Sequence, residues 1–104
     1  MDEVTLKLRR PITVHGAAGA EQIGELKLKL PSGRIVLRLG EPFTTKIDFV
    51  DGSNRLEFKI IPALAGEYLA EMSGYNTDLL GQLHPLDVLA AFDALTKMLR
   101  PTEG

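Results

Sequence analysis

The chain has 104 residues, of which 44% are apolar and 25% charged, with a formal net charge of −2 and no cysteine. This length suits one domain with one hydrophobic core, and the lack of cysteine excludes disulfide scaffolds and thiolate zinc sites. No segment has the ~20 apolar residues of a membrane-spanning helix, and the start of the chain lacks the pattern of a signal peptide, so we expect an intracellular protein without membrane contact.

Alternating apolar and polar residues, the pattern of half-buried strands, dominate the first 60 positions. A strand is predicted at 4–8 and, after an interruption at Pro11, at 12–14, because proline cannot donate a ladder hydrogen bond. The small residues at 15–20 predict a mobile loop. The clearest alternation follows at 23–30 and predicts a strand with its leucines on the core.

Turn residues separate the further predicted strands. Pro31-Ser32-Gly33 predicts a turn before a strand at 34–39, so that 23–30 and 34–39 would form a hairpin. A second hairpin is predicted from 43–49 and 56–60, which flank the turn signal Asp51-Gly52-Ser53-Asn54. The sequence thus predicts an N-terminal antiparallel sheet of about five to six strands.

A C-terminal pair of helices is predicted where the apolar period lengthens to about 3.6 residues. The first helix begins at Pro62 and ends before Gly74, and the connector after it holds one further helical turn that starts at Asn76. The last begins at Pro85 and carries a broad apolar stripe formed by Leu86, Leu89, Phe92, Leu95 and Leu99.

Strands followed by helices predict an α+β fold. We expect a single domain over residues 1–104, with a strand-rich part at 1–61, a helical part at 62–100 and a tail at 101–104. Residues 1–60 carry ten basic and eight acidic side chains, whereas the remaining residues carry two and six. Either the solvated strand faces are simply richer in Lys and Arg, or the surface is dipolar and orients a partner.

The sequence predicts no catalytic, cofactor or metal site. Its two histidines, His15 and His84, lie in a predicted loop and at a predicted helix start, outside any metal-binding motif. Asp48 and Asp51 are explained as solvated residues near a turn. An enzyme would need His84 to meet carboxylates in a folded pocket, whereas a capping or surface role needs no such pocket. We therefore predict a protein that is not an enzyme.

The remaining prediction is a protein-binding surface. Nucleic-acid binding is not expected, because the net charge is negative and the phenylalanines of the sheet fall in core register. Sheet edges and apolar helix faces both suit a protein partner. Partner-binding residues are predicted around the connector between the helices, namely Tyr68, Tyr75, Leu79, Leu80 and Leu83.

Three segments carry a resemblance to a known family. They are the N-terminal strand with its Arg10-Pro11-Ile12 ending, the Ile/Leu-x-Leu strand at 23–30, and the helical tail with Met72-Ser73-Gly74 followed by a run from Leu83 to Val88 (LHPLDV). In this order and spacing the chain resembles the small tail assembly chaperones of contractile-tailed, Mu-like and P2-like bacteriophages and prophages. The resemblance covers about the first 30 and last 40 residues, and 33–60 is a strand-rich departure from the family pattern.

The resemblance implies a non-enzymatic chaperone in the host bacterial cytoplasm. Its partner would be the tape measure protein, whose long helix it would keep soluble during tail assembly, and self-association of the chain stays open. The alternative is a structural subunit of the phage particle, such as a small tail or head-completion protein, which the strand-rich departure favours.

Overall fold

The computed structural model describes residues 3–50 and 53–99, and it places the side chains of 3–44 and 59–99. The elements follow the order β1 (Glu3–Gly16), β2 (Gly19–Lys29), α1 (Gly33–Leu39), β3 (Phe43–Val50), β4 (Ser53–Ile60), α2 (Pro62–Ser73), α3 (Thr77–Leu80) and α4 (Pro85–Leu99). The α+β class is confirmed. The strands form two antiparallel pairs, β1–β2 and β3–β4, so the sheet is smaller than the sequence predicts.

The predicted strand at 34–39 is wrong, because these residues form the helix α1. The Ser32 Oγ accepts a hydrogen bond from the Ile35 N–H at 3.4 Å, which is the interaction of a helix N-cap. Ile35 and Leu39, one turn apart, pack partly buried against the core, and the helix ends at Gly40, which has a φ of 79°. Ile35 and Leu39 thus reach the core through the spacing of a helix, although the same apolar pattern is also compatible with a strand.

The β1–β2 hairpin is long and has one irregularity. Lys7 pairs with Glu25 and Ile12 pairs with Ile23, so residues 8–11 of β1 face only Gly24 of β2. This shift confirms the interruption predicted at Pro11. The predicted loop at 15–20 is wrong in extent, because β1 runs to Gly16 and β2 resumes at Gly19, whose φ of 115° suits a glycine in a tight turn.

One hydrophobic core joins the first hairpin to the helices. The apolar face of β1–β2 packs against α2, α3 and α4, and each fully buried leucine in such a core contributes about 1.5–3 kcal/mol of burial free energy. The buried members of the core are Ile12, Leu26, Leu28, Ala65, Tyr68, Leu69, Met72, Leu80, Leu83, Ala91, Ala94 and Leu95. The helices therefore cover one face of the hairpin and leave its other face to solvent.

The predicted second hairpin is confirmed in the paired part of its backbone. β3 and β4 pair from Phe43 opposite Ile60 to Val50 opposite Ser53, and the predicted turn residues Asp51 and Gly52 lie outside the described residues. Ser53 and Asn54 belong to β4. At the base of the hairpin, the Ile61 N–H donates to the Pro42 carbonyl at 2.8 Å, and buried Phe43 lies beside it.

The helix boundaries follow the predicted signals closely. α2 has Pro62 in its first turn and ends at Gly74, which is left-handed at φ 81°. The predicted extra turn is α3, where the Asn76 Oδ1 accepts from the Leu79 N–H at 2.8 Å. α4 begins at Pro85. These starts and stops arrange the three helices into the layer that covers the first hairpin.

Candidate protein-binding surface

Side chains from the helical layer bind the outer edge of β1. The Asp87 Oδ2 accepts a hydrogen bond from the Arg9 N–H at 2.9 Å. The Gln82 Oε1 accepts from the Thr13 N–H at 3.0 Å, and its Nε2 donates to the Thr13 carbonyl at 3.3 Å. Arg9 lies within the irregularity of β1 and Thr13 in the regularly paired part just beyond it, so these contacts satisfy backbone groups on both sides of Pro11.

Asp87 is the one buried charged residue among those whose side chains are described, at 4% exposure. It lies in the first turn of α4, where a carboxylate complements the positive end of the helix dipole. The Arg9 Nε lies 3.8 Å from its Oδ1, with the arginine side chain 64% exposed. Asp87 therefore joins the start of α4 to the irregular part of β1, which is a structural role.

The predicted partner-binding residues divide into two groups. Tyr68, Leu80 and Leu83 are buried at 0, 7 and 5% exposure, so they contribute to the core and present little surface. Tyr75 and Leu79 are half-buried and pack against that core. For these two residues, contact with a partner remains a prediction.

Tyr68 also has a polar contact inside the core. Its hydroxyl donates to the Gly40 carbonyl at 2.5 Å, which connects α2 to the residue that follows α1. Burial raises the pKa of the Tyr68 hydroxyl above 10.0, and the nearby negative charge of Glu41 adds to this rise. The side chain therefore stays neutral throughout the physiological pH range.

His84 has a structural contact at the start of α4. Its Nδ1 accepts a hydrogen bond from the Leu86 N–H at 3.1 Å, which satisfies one of the free amides of the first turn. His15 is exposed near the turn of the first hairpin. Within the described residues, no three His, Asp or Glu side chains come together as a metal ion would need.

Exposed leucines supply an apolar surface outside the predicted partner-binding residues. On α4, Leu86 is 48% and Leu89 59% exposed, and Ala90 beside them is also exposed. On α1, Leu37 is 90% exposed. Leu86 and Leu89 belong to the predicted apolar stripe of α4, whereas the buried residues of this helix are Asp87, Ala91, Ala94 and Leu95. Ala91 and Ala94 are the signal for this buried face in the sequence, since small side chains let a helix approach its neighbours closely.

A groove lies between β2 and the C-terminal end of α2. It measures about 570 Å³ and is lined on one side by Ile23, Glu25, Lys27 and Lys29, and on the other by residues 71–75. Glu25, Lys27 and Lys29 are exposed, and Tyr75 at the opposite side is half-buried. The groove thus combines charges of both signs with a partly exposed aromatic ring.

Comparison with protein-family models, curated proteins and solved structures gives no match to this chain. Among the helices of the described residues, none has the length and apolar character required to cross a bilayer.

Proposed function

We propose that this protein is a non-enzymatic tail assembly chaperone of a contractile-tailed bacteriophage or prophage, which binds the tape measure protein in the host bacterial cytoplasm. The order of sequence features supports the family, and the exposed apolar surface on α4 supports a protein partner. We define this α4 surface as Leu86, Leu89 and Ala90. It is the single observation on which the proposed binding mode rests.

The α4 surface has the geometry to receive an amphipathic helix. Leu86, Leu89 and Ala90 are spaced i, i+3 and i+4, so they lie on one face of the helix. The same face continues to Asp93, whose Oδ2 is 3.0 Å from the Lys97 Nζ. An apolar patch bordered by charges suits the apolar stripe of a partner helix. The resemblance implies a partner of this kind, because the long helix of the tape measure protein would have to stay soluble until tail tube subunits surround it.

The small size of the α4 surface suits a partner that is later released. Two half-exposed leucines and an alanine bury much less area than a permanent interface, for which obligate complexes bury roughly 2,000 Å² or more. Half-buried Tyr75 and Leu79 belong to the connector that leads from α2 towards α4. A chaperone must leave its client when assembly proceeds, and a small apolar contact permits this.

Co-expression with the tape measure protein encoded in the same genome tests this proposal. We expect the two proteins to co-elute in size exclusion and the soluble fraction of the tape measure protein to increase. Neither effect should occur with Leu89→Glu, whereas Leu37→Glu on α1 is the matched control because Leu37 is even more exposed. Absence of co-elution with the unmodified chain would contradict the proposal.

The second candidate is a structural subunit of the phage particle. The β3–β4 hairpin favours it, because this hairpin lies within the segment that departs from the family pattern. Mass spectrometry of purified virions separates the two functions. A chaperone is missing from mature particles, whereas a subunit is present in a defined copy number.

A further inference from the structure

The two outer edges of the β1–β2 hairpin differ in their hydrogen bonding. Gln82 and Asp87 bind the outer edge of β1 at Thr13 and Arg9. The backbone of β2, in contrast, makes no hydrogen bond apart from its pairing with β1 anywhere in the part of the chain that the structure describes. An open strand edge of this kind offers amides and carbonyls to another strand.

The charge pattern of β2 decides which strand fits this edge. Glu25, Lys27 and Lys29 are exposed and alternate with buried Leu26 and Leu28. Lysines on an open edge repel a second lysine-rich strand unless acidic residues lie opposite them. Glu25 and Lys27 lie two residues apart on β2, so an antiparallel copy of the same strand can place Glu25 of each copy opposite Lys27 of the other.

We propose that two copies of this chain pair through β2 in antiparallel orientation, with Leu26 opposite Leu26 of the second copy. Glu25 of each copy then faces Lys27 of the other, so the two-fold axis generates two opposite-charge pairs. In this register no like charges lie directly opposite each other, whereas the registers shifted by two residues place Glu25 opposite Glu25, or Lys27 opposite Lys27, on the two-fold axis. The result is a four-stranded sheet in the order β1–β2–β2–β1.

The proposed pairing also extends the apolar face of each hairpin. A two-stranded sheet is marginal by itself and gains from further strands or from helices on one face. In the proposed register, the buried-face leucines of the two copies become neighbours across the new strand pair. The groove beside β2, lined from α2 by residues 71–75, gives an approaching strand access to this edge. The α4 surface is not used, so this dimer is independent of the proposed chaperone function.

Sedimentation equilibrium of the full chain over a concentration series tests the dimer. We expect a monomer–dimer equilibrium in which Glu25→Lys or Lys27→Glu raises the dissociation constant by about tenfold or more, because both charge pairs become repulsive. An equimolar mixture of the two variants should dimerise again, since both pairs between positions 25 and 27 then join a Lys to a Glu. Glu67→Lys, at an exposed position on α2, is the control and should leave the dissociation constant unchanged.

Three results would overturn the proposal. They are a chain that stays monomeric at all concentrations, a dimer that resists both charge variants, and a mixture that fails to recover dimerisation. Circular dichroism should be used to check that each variant is folded. The check matters most for Glu25→Lys, because residue 25 faces Lys7 within its own hairpin and the substitution places two lysines opposite each other. Lys27 faces the uncharged Thr5 there, so Lys27→Glu places no like charge directly opposite it in the monomer and decides the question alone if Glu25→Lys does not fold.

Discussion

Removing the Asp87 carboxylate should destabilise the fold more than removing any exposed charge. The Asp87→Ala variant loses the hydrogen bond from the Arg9 N–H at 2.9 Å, and a bond to a charged acceptor contributes about 1.5–3 kcal/mol. It also loses a negative charge in the first turn of α4, which contributes about 0.3–1 kcal/mol. Together these terms predict a loss of about 2–4 kcal/mol in the free energy of unfolding.

The Arg9 side chain adds little to this value. It is 64% exposed, and its Nε is 3.8 Å from the Asp87 Oδ1, so the ion pair contributes about 0–1 kcal/mol. The Arg9→Ala variant keeps the backbone N–H that Asp87 binds, and it is therefore the matched control. Asp87→Asn retains an acceptor without the charge and should fall between the control and Asp87→Ala.

Urea denaturation followed by circular dichroism measures all three variants. Thermal unfolding should show Asp87→Ala melting roughly 10 °C or more below the unmodified chain, since 1 kcal/mol corresponds to about 4–8 °C in a domain near this size. The reasoning is refuted if Asp87→Ala costs less than about 0.5 kcal/mol, or if Arg9→Ala costs as much as Asp87→Ala.

Substitutions at three further residues test other contacts. Tyr68→Phe removes the bond to the Gly40 carbonyl and should cost about 0.5–1.5 kcal/mol in urea denaturation. The pKa of Tyr68 in the folded protein is raised above 10.0. The contribution of the neutral Tyr68 hydroxyl to stability is therefore complete below pH 10.0 and is lost as the pH rises through the folded pKa. Tyr68→Phe should not show this loss of stability at alkaline pH. His84→Ala removes the acceptor for an α4 amide and should lower stability by about 1 kcal/mol, whereas His84→Asn, a favoured cap, should preserve it. Gln82→Ala should accelerate hydrogen exchange at the Thr13 amide; unchanged exchange there would contradict the assignment of Gln82 as the cover of this edge.

Local signals in the sequence predict most of the helical layer. Pro62 and Pro85 begin α2 and α4, Asn76 caps α3, and Gly74 ends α2 in the left-handed conformation. Each signal works through the backbone within one turn of its own position, so no tertiary information is needed. The β3–β4 hairpin is predictable for the same reason, because the residues between its strands favour a turn.

The errors occur where distant contacts decide the outcome. The short apolar run of α1 suits a strand or a helix, and its packing next to α2 selects the helix. The bonds of Asp87 and Gln82 to β1 join residues 78 and 69 positions apart, and no local pattern indicates them. The position of Tyr68 near the connector predicts a place on a binding surface, whereas the residue is buried, because three helices meet the hairpin around it.

The affinity of the chain for the tape measure protein tests the central claim most directly. Titration calorimetry should compare the unmodified chain with Leu86→Glu/Leu89→Glu and with the control Leu37→Glu. The proposed function predicts that the double variant raises the dissociation constant at least about tenfold, since both leucines are about half exposed and burying the rest of each contributes roughly 0.7–1.5 kcal/mol, while the control stays within about threefold. Equal affinity for the double variant and the unmodified chain, or no binding by the unmodified chain, would contradict it.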